Sequence, residues 1–169
     1  LRMPGSKTWQ KTTITTSMAR PNATAEVGRA VFVDTGGWLA LANRRDKYAA
    51  QARAVYGQLR QKRRLLITTS YVVNETVSGL IGKISRAKIV DLIERIHASS
   101  SAIEVVFVTP ELERRGWALF KSRPDKTWSL TDCISFVVMQ ERGYSEVFTP
   151  DEHFLQAGFV CLLNPNLEG

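Results

Sequence analysis

Hydrophobic residues follow two different spacings along this chain. Short apolar runs rich in β-branched residues predict five strands, at Ala30–Val33, Leu65–Thr68, Ile103–Thr109, Glu146–Phe148 and Phe159–Leu163. Between the first four runs, apolar residues recur at the three- and four-residue spacing of a helix. Alternating strands and helices are typical of a parallel sheet covered on both faces. The sequence therefore predicts an α/β fold of three layers, with helices on either side of the sheet.

The helical segments carry recognisable end signals. Thr109-Pro110 is typical of an N-cap followed by the first helical residue, and Gly143 is suited to close a helix. The predicted helices are Tyr48–Arg60, a segment marked by Val73 and Ile84, a segment from Ile89 to Ile96 after the cap candidate Ser85, a segment from Pro110 to Phe120, and a segment marked by Cys133 and Glu141.

Residues 1–29 show neither the apolar runs of strands nor the helical spacing of apolar residues, and they are rich in Thr, Ser, Ala and basic residues. We interpret them as a flexible basic tail, although their composition also resembles a transit peptide. The predicted domain then spans residues 30–165, and residues 166–169 form a short C-terminal tail. Of the net charge of +7, the first 29 residues contribute five basic residues and one acid. The charge favours a nucleic-acid partner only weakly.

Composition excludes several classes of protein. No apolar run approaches the ~20 residues that span a bilayer, and no secretory signal is recognisable, so we expect a cytoplasmic protein. With two cysteines, Cys133 and Cys161, and two histidines, His97 and His153, a His/Cys zinc site is not expected. No phosphate-binding P-loop motif occurs. Any catalytic metal is therefore expected to have oxygen ligands.

Four carboxylates lie where a parallel sheet places ligands. Asp34 and Asp151 follow the first and fourth predicted strands, Glu75 lies early in the helix after the second strand, and Asp132 begins the long apolar helix. Ligands of such sheets bind beyond the carboxyl ends of the strands. Converging carboxylates repel one another unless a cation compensates, and hard oxygen ligands suit Mg²⁺ or Mn²⁺. The pattern predicts a divalent-metal site.

Each acid also has a structural interpretation. Asp132, three residues after Ser129, fits a capping box, and Asp151 fits a turn or an N-cap. Asp34 can form a turn, and Glu75 can be a solvated helix residue. The neighbouring hydroxyls of Thr35 and Ser129 can orient a carboxylate or a phosphate, or they can cap helices. His153 could reach the pocket, but we interpret it as a structural hydrogen-bonding residue.

Short motifs surround the four acids, in the order Val31-Phe32-Val33-Asp34-Thr35, Asn74-Glu75-Thr76, Trp128-Ser129-Leu130-Thr131-Asp132-Cys133 and Asp151-Glu152-His153-Phe154. This ordered set resembles the PIN-domain family, and within it the VapC-type toxin ribonucleases. The resemblance covers about residues 30–165. Gly36-Gly37 departs from the family pattern, because many relatives have Ser or a larger residue after the Asp-Thr pair.

The resemblance implies a parallel sheet of order 3-2-1-4-5 and an acidic pocket that binds Mg²⁺ or Mn²⁺. Its pocket acids would be Asp34, Glu75, Asp132 and Asp151. It further implies endonucleolytic cleavage of structured RNA such as tRNA or ribosomal RNA, a homodimer, and a small antitoxin protein that silences the enzyme. A PIN-like module that binds RNA or a partner without cutting remains an open alternative. A haloacid-dehalogenase-like phosphatase would need an aspartate where Gly36 stands.

Two basic segments are candidates for contact with an RNA backbone. They are Arg44-Arg45, between the first two predicted elements, and Lys62-Arg63-Arg64, directly before the second strand. A run of like charge is also typical of a solvated surface.

Overall fold

The computed structural model describes residues 30–98 and 101–163, so both predicted tails lie outside the described residues. The strands are β1 (Ala30–Val33), β2 (Leu65–Thr69), β3 (Ile103–Val106), β4 (Glu146–Phe148) and β5 (Val160–Cys161). The helices are α1 (Thr35–Ala42), α2 (Ala49–Gln61), α3 (Ser70–Leu80), α4 (Arg86–Ala98), α5 (Pro110–Ser122), α6 (Leu130–Arg142) and α7 (Glu152–Gln156). None of these helices is long and apolar enough to cross a bilayer.

The five strands form one parallel sheet of order β3-β2-β1-β4-β5, which confirms the predicted α/β fold and the implied strand order. Phe32 of the central strand pairs with Ile67 on one side and Val147 on the other. All four residues of β1 are buried, which explains why its sequence is continuously apolar rather than alternating.

Several predicted boundaries were wrong. The third strand ends at Val106 rather than Thr109, because the Thr109 side chain accepts a hydrogen bond from the Leu112 N–H and caps α5. The fifth strand is only Val160–Cys161. Helix α3 ends at Leu80, before Ile84, where the chain turns through Gly82 with a φ of +78°. Helix α1 was not predicted, and it contains two adjacent glycines, Gly36 and Gly37, which disfavour a helix.

Helix α6 forms the buried centre of one helical layer. Its residues from Asp132 to Met139 are all buried. Phe136 of α6 packs edge to face against Phe154 of α7, with the ring centroids 4.8 Å apart. This contact packs together two helices that have candidate acids at their N-terminal ends, Asp132 in α6 and the N-cap Asp151 before α7.

Helix α1 approaches the end of β4 very closely. A Cβ atom at Gly37 would lie 2.1 Å from the carbonyl oxygen of Phe148, and one at Gly36 would lie 2.9 Å from Oγ1 of Thr149. The Asp34 N–H also donates a hydrogen bond to the Phe148 carbonyl, at 3.4 Å. The departure from the family pattern at Gly36-Gly37 therefore brings α1 against the strand end that precedes Asp151.

Gly37→Ala is expected to lower the free energy of unfolding by about 3 kcal/mol, because the added methyl group overlaps the backbone of a central strand. Chemical denaturation measures the loss. Gly57→Ala in α2 is the control, since its methyl group would meet nothing within 4 Å and is expected to be neutral or stabilising by up to about 1 kcal/mol. Equal losses in the two variants would contradict the close-approach explanation.

Candidate active site

The structure places the four predicted acids at the carboxyl edge of the sheet. Asp34 and Asp151 follow β1 and β4 directly and are the N-caps of α1 and α7. Glu75 lies in the second turn of α3, the helix that begins where β2 ends. Asp132 lies in the first turn of α6, which leads back to the start of β4.

Asp132 and Asp151 form the centre of the site together with His153. One ligand atom from each of these residues lies within 4.8 Å of the other two. Nδ1 of His153 is 3.2 Å from Oδ2 of Asp132 and 3.5 Å from Oδ1 of Asp151. Its Nε2 is 3.1 Å from Oγ1 of Thr127. His153 thus makes the structural hydrogen bonds expected of it, but it makes them inside the acidic site.

Asp34 is the most deeply buried of the four acids, at 3% exposure. Burial, and next the charge of Asp132, raise the pKa of Asp34 to about 7. Its Oδ2 accepts hydrogen bonds from Oγ1 of Thr149 at 2.9 Å and from the Gly36 N–H at 3.3 Å. Sequence reasoning missed Thr149, although a hydroxyl at the end of β4, two residues before Asp151, was the available signal.

Asp132 serves both the helix and the site. Its Oδ2 accepts the Ser129 N–H at 2.7 Å, and its own N–H donates to Oγ of Ser129 at 3.0 Å, which completes the predicted capping box. Burial is the main cause that raises the pKa of the Asp132 carboxyl, and the charge of Asp151 adds to it. The capping interpretation and the site interpretation are therefore both compatible with this residue.

Glu75 approaches the other acids through Thr35. The Thr35 hydroxyl donates a hydrogen bond to Oε2 of Glu75 at 2.8 Å, and Thr35 adjoins Asp34 in the chain. The Glu75 side chain is exposed, so it can still reorient. Asp132 and Asp151 lie together with His153, Asp132 is close enough to Asp34 to affect its pKa, and the contact of Glu75 with this region is through Thr35.

Charge compensation at these acids is incomplete. Among residues 30–98 and 101–163, His153 is the one basic side chain that contacts them, and no Lys or Arg forms an ion pair with any of the four. Buried carboxylates without a cation are unfavourable. A donor set of hard carboxylate oxygens with an unmet negative charge fits Mg²⁺ or Mn²⁺.

The two predicted basic segments lie on different parts of the domain, one at the starts of two strands and the other beyond the end of α1. Arg64 donates hydrogen bonds to Glu146 and to the Ala30 carbonyl, at the starts of β4 and β1. The Lys62-Arg63-Arg64 run therefore lies at the sheet edge opposite the acids. Arg44 and Arg45 are exposed just beyond the end of α1.

A family model described as the PIN domain matches residues 31–160, a range that contains all four acids. The chain belongs to the PIN-domain family. Membership of this family explains the fold, the strand order and the position of the acids at the carboxyl edge of the sheet.

Curated relatives of this PIN-domain protein include the 23S rRNA-specific endonuclease VapC20 of two Mycobacterium tuberculosis strains, CDC 1551 and H37Rv. Each is 30% identical over 131 residues, which cover 77% of this chain and 95% of the relative. Among solved structures, the crystal structure of M. tuberculosis VapC20, described as a sarcin–ricin loop cleaving toxin, matches with a TM-score of 0.70 and 28% identity. That match covers 77% of this chain and 96% of the other.

Proposed function

We propose that this PIN domain is an endoribonuclease that hydrolyses RNA phosphodiester bonds with the help of Mg²⁺ or Mn²⁺. The observation that carries the proposal is the partly buried group of Asp34, Asp132 and Asp151, which no Lys or Arg of the described residues neutralises. The curated relatives match this chain over 95% of their own length and are named as 23S rRNA-specific endonucleases. Their names support endoribonuclease activity for this chain.

The residues that would hold the metal are Asp34, Asp132 and Asp151, with Glu75 at the margin. A bound divalent ion would polarise the phosphodiester, lower the pKa of a water and offset the charge of the displacement. The chain itself orients the acids. Hydroxyls of Thr149 and Thr35 hold Asp34 and Glu75, and the Ser129 N–H holds Asp132.

Protons compete with the metal for Asp34. Because burial and repulsion raise the pKa of Asp34 to about 7, this carboxyl is about half protonated at neutral pH when no cation is bound. A divalent ion must then displace a proton as it binds, so the affinity of the site for metal is expected to increase with pH.

The proposed substrate is structured RNA, and ribosomal RNA is favoured over tRNA because both the curated relatives and the solved structure are described by their action on ribosomal RNA. The remaining parts of the proposal come from the family resemblance. They are a toxin role in the cytoplasm, a homodimer, and a small antitoxin protein that blocks the acidic site.

Mapping of cleavage sites on total RNA tests the proposal directly. The purified protein is incubated with Mg²⁺ and deproteinised total RNA or intact ribosomes, and new 5′ ends are located by primer extension. We expect one or a few discrete cuts, with ribosomal RNA among the cleaved species. Binding of RNA without any new ends would instead indicate a non-catalytic PIN module.

A further inference from the structure

A groove of about 750 Å³ lies outside the acidic site. One wall is formed by the end of α1 and the segment 43–45, and the other by residues 83–85 and α4. Basic side chains dominate the charged residues that line it: Arg44, Arg45, Lys83, Lys88 and Arg95.

Most of this positive charge is not compensated. Asp91 is the one acid in the lining, and it pairs with Arg95 at 3.0 Å. The other four basic side chains are exposed and form no ion pair or side-chain hydrogen bond with any residue of 30–98 or 101–163. The groove therefore presents about four free positive charges to a ligand.

The groove and the acidic site lie at the two ends of one helix. Asp34 caps the start of α1, and Leu41 and Ala42 at its end line the groove. Eight helical residues separate the two by about 12 Å. Leu39 of α1 packs against Gly79 of α3, and α3 leads into the segment 83–85 that lines the other wall.

We propose that this groove binds the phosphate backbone of the RNA substrate beside the bond that is cut, an assignment that rests on the proposed nuclease function. The acids repel phosphate when no cation is bound, so a separate basic surface would contribute attraction for a polyanion. Every nucleotide carries a charge, and an RNA engaged at the acids must continue beyond them. Four free cations in a groove at the other end of α1 suit that continuation better than they suit the sparse carboxylates of an acidic peptide.

RNA affinity of a triple variant tests the assignment. Arg44→Ala, Lys83→Ala and Lys88→Ala are combined, and binding of a labelled sarcin–ricin loop hairpin RNA is measured in EDTA at several salt concentrations. We expect affinity to fall about 10- to 100-fold at 0.15 M salt, and the slope of log affinity against log salt to become shallower by about 2. The melting temperature should stay unchanged because all three positions are exposed.

The matched control combines Arg53→Ala, Arg60→Ala and Lys121→Ala, which removes the same charge from exposed positions outside the groove. It should change affinity less than about twofold. Equal losses in both variants, or no binding by the wild type, would overturn the assignment. A groove variant that keeps its RNA affinity but loses binding of a polyglutamate peptide would also overturn it, in favour of an acidic protein partner.

Cleavage assays separate this assignment from the nuclease proposal. With Mg²⁺, the groove variant should show a raised KM and an unchanged kcat on the same RNA. If the wild type binds RNA through the groove but never cuts any, the nuclease proposal fails and the groove assignment stands.

Discussion

Asp34→Asn is expected to reduce the rate of RNA cleavage about 1,000-fold, because it removes a buried negative charge from the proposed metal site. The asparagine keeps the local structure. Its amide oxygen can accept the hydrogen bonds of Thr149 and Gly36, and asparagine is as good an N-cap as aspartate. Single-turnover cleavage of a mapped RNA measures the loss. Glu94→Gln, at an exposed position of α4, is the control for the change in charge.

The same variant is expected to be more stable than the wild type above neutral pH when metal is absent. The pKa of Asp34 is about 7 in the folded protein against a model value of 3.8, so the folded state binds the proton more tightly than the unfolded state does. Wild-type stability should therefore fall as the pH rises from about 4 to about 7 and level off above. A shift of about three pKa units corresponds to at most about 4 kcal/mol.

Urea denaturation of both proteins in EDTA at pH 5 and pH 8 measures this difference. The stability gap between Asp34→Asn and the wild type should widen towards pH 8. A variant that retains activity would remove Asp34 from the mechanism. A variant that is destabilised at both pH values would mean that Asp34 is mainly a structural cap.

Chelation of divalent ions is expected to abolish cleavage, and Mg²⁺ or Mn²⁺ in excess over EDTA should restore it. The physical reason is that no Lys or Arg of residues 30–98 and 101–163 neutralises the acids, so without a divalent ion they repel a phosphate. The readout that does not depend on activity is thermal unfolding. An ion present at about 100 times its Kd stabilises the folded state by about 2.7 kcal/mol.

Mg²⁺ should therefore raise the melting temperature of the wild type and of Glu94→Gln by similar amounts, and that of Asp34→Asn much less. Equal shifts in all three proteins would place the ion elsewhere. Cleavage that persists unchanged in EDTA would refute the role of the metal in the reaction.

Much of the fold could be predicted because it depends on local patterns. The central strand is apolar throughout, as expected for a strand covered on both faces, and Thr109-Pro110 and Gly143 mark helix ends where the structure has them. Helix α1 could not be predicted in this way. Gly36 and Gly37 disfavour a helix locally, and they are accommodated because α1 must pack against the backbone of β4, which is distant in sequence.

The candidate site, too, could be predicted only where it depends on local sequence. Position after a strand was enough to indicate Asp34 and Asp151, since the carboxyl ends of parallel strands share an edge. The contact of Thr149 with Asp34 joins residues 115 positions apart. The contact of His153 with Asp132 depends on how α7 packs against α6. Neither contact could be predicted, because neither follows from the spacing of residues along the sequence.

The close fit of α1 against β4 also bears on how long the protein survives in a cell. The fit places Asp34, the N-cap of α1, beside Thr149 in the interior, where burial and the charge of Asp132 raise its pKa to about 7. Above neutral pH, copies without a bound ion carry this unfavourable buried charge, and we expect them to open more often than copies that hold an ion. Proteases degrade opened chains preferentially, so the supply of divalent ions would govern turnover of the protein as well as its catalytic rate.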